Sequence, residues 1–415
     1  MQPELTVGID EITVVLQSKE QVDLKEWPGK AEEIIANFAE KAKLQELFGP
    51  MDWATGRLQA GYTNGLTYAN QPWHFQLCFS DIPNMGVCVH FSAFAWYVYQ
   101  QDYAERFGVP VDLAEFLYMV QDTLYSLRLS RVDLTADYKN YPCPVNPSAQ
   151  LSPGTLYEQL MAGNYRILDY RGRSTIREFS AIHEDGVFQT LYIGSRKGKS
   201  NSFMRIYNKK REQIMTKGYR YEEATQCESW CRFEAVLRHD AAHNFTDVIL
   251  NFQQHKLNLG SGSQPTLASI IASTFCEKWQ FYDVAADNYL DITDDLAGIA
   301  NGTILPSLFS AAHPRDNTLK QSIEYLRGNS GLYACLYKAF ALYDGKADRE
   351  LMDYFWDDYI NSFKVRLYTG QDKAKLREMR MWLKAHKDEI TKFPLESYLD
   401  RSQHDTTGFE IPFYE

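Results

Sequence analysis

Residues 6–16, TVGIDEITVVL, alternate apolar and polar positions and predict a strand, and similar runs recur at 75–80, 86–92, 128–138, 187–194, 203–209 and 231–238. Apolar residues spaced by three and four predict helices over 30–49, closing at Gly49, over 111–129 with Asp112 as N-cap, and over 153–163. Isolated helices among many strands predict an α+β fold, a mostly antiparallel sheet with helices on one face. At 255–266, HKLNLGSGSQPT, Gly, Ser and Pro crowd together between two patterned regions. That predicts a division into residues 1–258 and a smaller, all-helical part over 266–415. In the second part the helical period runs through 319–328, 330–345, 348–368 and 372–390.

Strand alternation sorts the side chains of three segments into faces. In SRVDLTADY, Arg131, Asp133, Thr135 and Asp137 share a side opposite Val132, Leu134 and Ala136. In SFMRIYNKK, Phe203, Arg205, Tyr207 and Lys209 oppose Met204, Ile206 and Asn208, and in WCRFEAVLRHD, Arg232, Glu234, Val236 and Arg238 oppose Cys231, Phe233, Ala235 and Leu237. If these strands adjoin, one surface gathers carboxylates, guanidinium groups and a phenol. Asp133 and Glu234 would then suit a hard divalent cation, Mg²⁺ or Mn²⁺, and Arg205, Lys209 and Lys210 would suit phosphate. Tyr207 would be a nucleophile on phosphorus, helped by cations that favour phenolate and stabilise transition-state charge. Solvated cross-strand ion pairs are the plainer reading of the same pattern.

Charge sharpens the picture. Lys and Arg number 43 against 54 Asp and Glu, a net charge of -11, which argues against general coating of nucleic acid. Yet Arg196, Lys197, Lys199, Arg205, Lys209, Lys210 and Arg211 cluster around Tyr207, a local footprint suited to a nucleic-acid backbone. The seven cysteines are an odd, scattered set, as expected of reduced thiols in the cytoplasm. Cys227 and Cys231 stand too close to His239 and His243 for a zinc-finger spacing of roughly 12 to 15 residues. No stretch approaches the roughly 20 apolar residues of a membrane span, so a soluble protein with no membrane partner is expected.

Four segments in order, GIDEITVV (8–15), LSRVDLTADY (129–138), LYIGSRKGKSNSFMRIYNKKREQ (191–213) and WCRFEAVLRHD (230–240), resemble the Rep_trans replication-initiation-factor family. That family contains initiators of rolling-circle plasmids and relaxases of integrative conjugative elements. The resemblance implies that Tyr207 cleaves DNA and that Asp133 and Glu234 lie in or beside the catalytic sheet. It adds His90 as a further metal ligand, with Asp10 and Asp137 as other candidates. It implies origin DNA as partner, single-stranded or extruded as a hairpin at the nick site, together with a homodimer and a host helicase. The expected reaction is strand-specific nicking and joining through a 5′-phosphotyrosyl link. The rival readings are a non-catalytic origin-binding or regulatory protein and a metal-dependent nuclease that activates water.

Overall fold

The structure is a computed structural model that describes residues 1–53, 58–67, 75–184, 186–198, 200–259, 265–302, 308–309, 331–343, 347–369 and isolated positions between 319 and 383. It divides into two compact units, Met1–Ser310 and Ala311–Glu415.

The first unit is built on strands β1 (Glu4–Ser18), β2 (Asp52–Trp53), β3 (Asn64–Thr67), β4 (Phe75–Phe79), β5 (Val87–Phe91), β6 (Tyr125–Lys139), β7 (Pro142–Cys143), β8 (Asn146–Gln150), β9 (Tyr165–Leu168), β10 (Phe179–Glu184), β11 (Val187–Ile193), β12 (Ser202–Asn208), β13 (Trp230–Arg238), β14 (Gln280–Asp283) and β15 (Asn288–Tyr289). Ten of them form an antiparallel sheet in the order β10-β11-β12-β13-β6-β1-β5-β4-β3-β2. The fold is α+β, as the patterning predicts. Among the described residues no helix is long and apolar enough to cross a membrane.

Alternation decides what this sheet buries. Val132, Leu134 and Ala136 of β6, Phe233, Ala235 and Leu237 of β13, and Met204 and Ile206 of β12 all lie in one apolar core. The helix His239–Leu259 crosses β6 and β13 and adds Ala241, Ala242, Phe245 and Ile249 to that core. Its Thr246 hydroxyl accepts from the Leu129 backbone N–H at 2.9 Å, satisfying a donor that the ladder leaves over.

Two expected helices differ from the observed ones. The segment 30–49 becomes Trp27–Lys41 and Leu44–Phe48, because Lys43 takes a left-handed backbone with φ 59° that interrupts the hydrogen-bond ladder. The segment 111–129 is helical only over Leu113–Met119 and enters β6 at Tyr125. There Asp122 turns the chain by accepting from the Leu124 N–H at 2.8 Å, and β1 offers pairing partners as far as Ser18 opposite Tyr125. Tertiary pairing overrides the local helical period.

The division expected at 258–266 also moves. The helix Leu267–Lys278, β14 and the helix Asp291–Ala300 belong to the first unit. β14 pairs with β9, placing Phe281 opposite Ile167, and the buried Tyr138 hydroxyl donates to Ile292 O at 2.6 Å. The Gly/Ser-rich stretch joins packed elements of one core; residues 260–264 within it lie outside the described residues. In the second unit the described residues are helical over Leu332–Leu342, Ala347–Asp358 and Val365–Tyr368, with a π-turn between the last two. The segments expected over 319–328 and 372–390 lie mostly outside the described residues.

Candidate active site

β12, β13 and β6 are neighbours, so the three ionisable faces adjoin. Register sets Arg205 opposite Glu234, Tyr207 opposite Arg232, Glu234 opposite Thr135 and Arg232 opposite Asp137. The Tyr207 hydroxyl donates to Glu234 Oε2 at 3.0 Å. Arg205 forms an ion pair with Glu234, and its Nη2 stands 3.6 Å from Asp133 Oδ2. Arg131 grips Asp133 through Nε at 2.8 Å and Nη2 at 2.7 Å, and reaches Glu11 through Nη1 at 2.6 Å. Asp133 and Glu234 are fully buried, 0% exposed, whereas the Arg205 side chain keeps 31% of its surface in solvent. Arg205, which touches both buried acids, is therefore also open to a ligand.

A second group lies beside the first. Arg232, 1% exposed, donates to Asp137 through Nε (2.7 Å) and Nη2 (2.8 Å) and to Asp10 through Nη1 (2.6 Å). Asp137 also accepts from Trp230 Nε1 at 2.7 Å and from Arg220 at 3.3 Å, and Asp10 from the Tyr219 hydroxyl at 3.3 Å. A cavity of about 540 Å³ opens along this group, lined by Gly8, Asp10, Tyr219, Arg220 and Arg232 among others.

The acids of the two groups titrate in opposite directions. Burial alone would push Asp10 and Asp137 up, but Arg232 outweighs it, with Lys209 beside Asp10 and Arg220 beside Asp137, and both carboxyls sit below their usual range. In the first group burial prevails. It raises Asp133 despite Arg131, raises Glu11, and carries Glu234 up to about 8 against the pull of Arg205 and with the push of Asp133. Burial, then Glu234, lifts the Tyr207 phenol well above its ordinary value. Tyr207 at rest is thus a neutral phenol aimed at a carboxyl that titrates near neutrality.

Not all the basic residues picked out around Tyr207 converge on it. Lys209 is 2% exposed, pairs with Glu212 at 2.7 Å, and lies 5.7 Å from the Tyr207 ring centroid and 5.8 Å from that of Tyr219. Lys210 is engaged by the carbonyls of Cys227 (2.6 Å) and Glu228 (3.2 Å), so the structure does not bring it to the tyrosine as a phosphate ligand. Arg196 stacks on Tyr192 at 4.2 Å, and Tyr192 stands opposite Arg205 in register. Lys197 is exposed in the β11–β12 loop, its carbonyl accepting from Arg238 at 3.2 Å. Lys199 lies outside the described residues.

A divalent cation does not fit the side chains as they are folded. Among the described residues no three His, Cys, Asp or Glu side chains are grouped to hold a metal ion. Arg131 and Arg205 occupy the carboxylates of Asp133 and Glu234, and the buried His90 has Nδ1 3.1 Å from Thr13 Oγ1. The expectation that Asp133, Glu234 and His90 form a Mg²⁺ or Mn²⁺ site is not met by this geometry, because guanidinium groups stand where the cation would.

Glu11 is the member of the cluster that alternation hides. Strict period two puts Asp10 and Glu11 on opposite faces, but β1 shifts register against β6 between Ile9 and Ile12, and both acids reach arginines of the same polar face. Two adjacent acids inside an otherwise apolar strand were the available signal.

Comparison with known proteins bears on residues 127–294, which match the family model described as Replication initiation factor, Rep_trans. No curated protein matches the chain. Among solved structures, one titled as the structure of a rolling circle replication initiator protein from Geobacillus stearothermophilus is 16% identical, with a TM-score of 0.45, and covers 71% of this chain and 97% of that one. The matched residues hold most of β6 and all of β12 and β13, hence Tyr207, Glu234, Asp133 and the arginines that pair with them, and it is this segment that is similar to the replication initiation factor family.

Proposed function

We propose that this protein is a sequence- and strand-specific DNA nicking and joining enzyme that starts rolling-circle replication or conjugative transfer at an origin. The observation that carries the reading is the Tyr207 hydroxyl donating to Glu234 beside a partly exposed Arg205. With Glu234 ionised, the phenolic proton passes to Glu234 as the Tyr207 oxygen bonds to the scissile phosphorus. The bond from phosphorus to the 3′-oxygen breaks, that oxygen takes up a proton and becomes a free 3′-OH, and the 5′-phosphate remains esterified to Tyr207. Arg205 is the cation placed to stabilise charge on the non-bridging oxygens, a role worth about 3 kcal/mol or more where such donors have been removed. The phosphotyrosyl ester keeps the energy of the broken bond, so reversal rejoins the strand.

The test is incubation of the full chain with a single-stranded oligonucleotide bearing its origin, with and without Mg²⁺, followed by a denaturing gel. A covalent adduct that Tyr207→Phe abolishes, with DNA binding retained, is the expected result. Adduct at the original level in that variant would move the role to another tyrosine. Cleavage without any adduct would instead identify a water-activating nuclease.

A further inference from the structure

A second cavity, of about 680 Å³, lies at the other end of the β11–β12 hairpin, where Ser195, Ser200 and Ser202 meet Lys278 and Trp279 at the end of the helix Leu267–Lys278. Its volume falls in the range of roughly 300–1,000 Å³ that holds small ligands. Arg171, Arg173 and Arg177 line it as well. Arg173 is neutralised by Asp169, held at 2.7–2.9 Å, whereas Arg171 lies over the exposed Tyr170 ring at 5.0 Å and donates to its hydroxyl at 2.7 Å. The amine of Lys278 donates to Ser202 Oγ at 2.5 Å and stands 5.4 Å from the Trp279 ring and 4.6 Å from that of Phe309. Burial lowers this amine to about 8, against the pull of Glu277, which leaves it mostly charged at neutral pH. Trp279 is 3% exposed, and its indole N–H is buried without a hydrogen-bond partner among the described residues. An unmet buried donor costs about 1–3 kcal/mol.

Cations beside aromatic rings, with hydroxyl groups at the rim, are what an unpaired nucleotide binds: phosphate to the charges, base to the rings. The β11–β12 loop connects this cavity to the tyrosine. Gly194 opens it with φ +92°, Ser195 and Ser200 face the cavity, and Arg196 stacks on Tyr192 next to Arg205. From Ser202 to Tyr207 the strand rises roughly 17 Å. Ser202 shares the face of β12 that carries Met204 and Ile206, opposite Tyr207, so a strand of DNA touching both places would pass round the basic loop.

We propose that the cavity walled by Lys278, Trp279, Arg171 and Arg177 is a second DNA subsite, which holds an unpaired nucleotide of the substrate strand at a distance from the bond cleaved at Tyr207. The subsite rests on the reading of the protein as a DNA-nicking enzyme for its ligand, but not for its measurement. Binding of a fluorescein-labelled 20-mer oligothymidylate is followed by anisotropy over a salt series, with the full chain carrying Tyr207→Phe so that no cleavage intervenes. Adding Lys278→Gln, or separately the exposed Arg177→Gln, should weaken binding several-fold and reduce the slope of log affinity against log salt by about 0.7 for each phosphate no longer neutralised. In the wild-type background the same changes should raise the strand concentration needed for half-maximal adduct.

Unchanged affinity and slope in both variants, with melting curves that match the parent, would overturn the subsite. So would binding of oligothymidylate that weakens only in step with a lowered melting temperature, since the loss would then belong to the fold and not to the cavity. Failure of the nicking reading would show separately, as adduct that persists in Tyr207→Phe.

Discussion

The Arg232 group and the Arg205 group use the same residue types on the same face of the same sheet, a few ångströms of strand apart, and they are tuned oppositely. Arg232 is locked on two sides by Asp10 and Asp137, with Trp230, Arg220 and Tyr219 filling the remaining acceptors. Both acids are held below their usual range, so the group stays ionised and rigid at any moderate pH. In the Arg205 group three acids, Glu11, Asp133 and Glu234, face two arginines, and all three are raised. A fully neutralised cluster fastens β1, β6 and β13 together, whereas an under-neutralised one keeps a proton to exchange. The proposed chemistry draws on the second, whose Glu234 accepts from the Tyr207 hydroxyl.

The largest way to break both groups is to cut the chain at residue 258. That removes Ile270, Ile271, Phe275, Phe281, Ile292 and Leu296 from the core, and Leu267 and Ile271 from the wall beside Asp10 and Arg232. Each such side chain contributes about 1.5–3 kcal/mol when buried, and a domain's net stability is only about 5–15 kcal/mol. Residues 1–258 should therefore fail to fold cooperatively, while 1–310 should give a single unfolding transition in circular dichroism. A cooperative 1–258 fragment would return the boundary to the Gly/Ser-rich stretch.

Arg232→Gln comes next. It leaves Asp10 and Asp137 buried with too little positive charge, a loss expected at about 3–5 kcal/mol in urea unfolding. Arg205→Gln, at a partly exposed position, should cost clearly less stability and far more activity. Equal stability losses for the two would erase the distinction between fastening and reacting groups.

Glu234→Gln separates them more finely. The side chain keeps its shape but can no longer take the Tyr207 proton, so adduct formation should slow by about 10²–10⁴-fold. Because Glu234 titrates up at about 8, the wild-type rate should climb with pH toward that value and level off above it. A residual rate in Glu234→Gln that climbs with the same midpoint would transfer the proton-accepting role to another group.

Much of this was legible from alternation alone. The faces carrying Asp133, Arg205, Tyr207 and Glu234 follow from period two, because β6, β12 and β13 run straight through the middle of the sheet where both neighbours enforce the pleat. Glu11 escaped because a bulge is a property of two paired strands. The strand at 125–129 was hidden because its leucines also fit a helical period, and only pairing with β1 decides between them. The helix Ala93–Phe107 was missed because its fully buried stripe of Ala95, Trp96 and Tyr99 is short and its other positions mix half-buried Phe94, Val98 and Tyr103 with exposed Gln101, Glu105 and Arg106. The boundary failed for a related reason: Gly and Ser mark a turn in the chain, and they carry no information on whether the segments they join share a core.

The last comparison concerns stability against pH. A carboxyl whose folded value is raised favours the fold in its protonated form. Its contribution is complete below the unfolded value, about 4.5, and is lost as pH rises through about 8. Asp10 and Asp137, whose folded values are depressed, work in the opposite sense and only at the acid end, where their contribution disappears as pH falls. Between about pH 5 and about pH 8 the fastening group is therefore silent and the reacting group is not. The difference in melting temperature between wild type and Glu234→Gln should shift steadily across that window in the direction that disfavours the wild type, while the difference between wild type and Asp137→Asn stays flat. A flat line for Glu234→Gln would mean that Arg205 keeps Glu234 ionised throughout, and the two groups would then differ in access to solvent but not in charge.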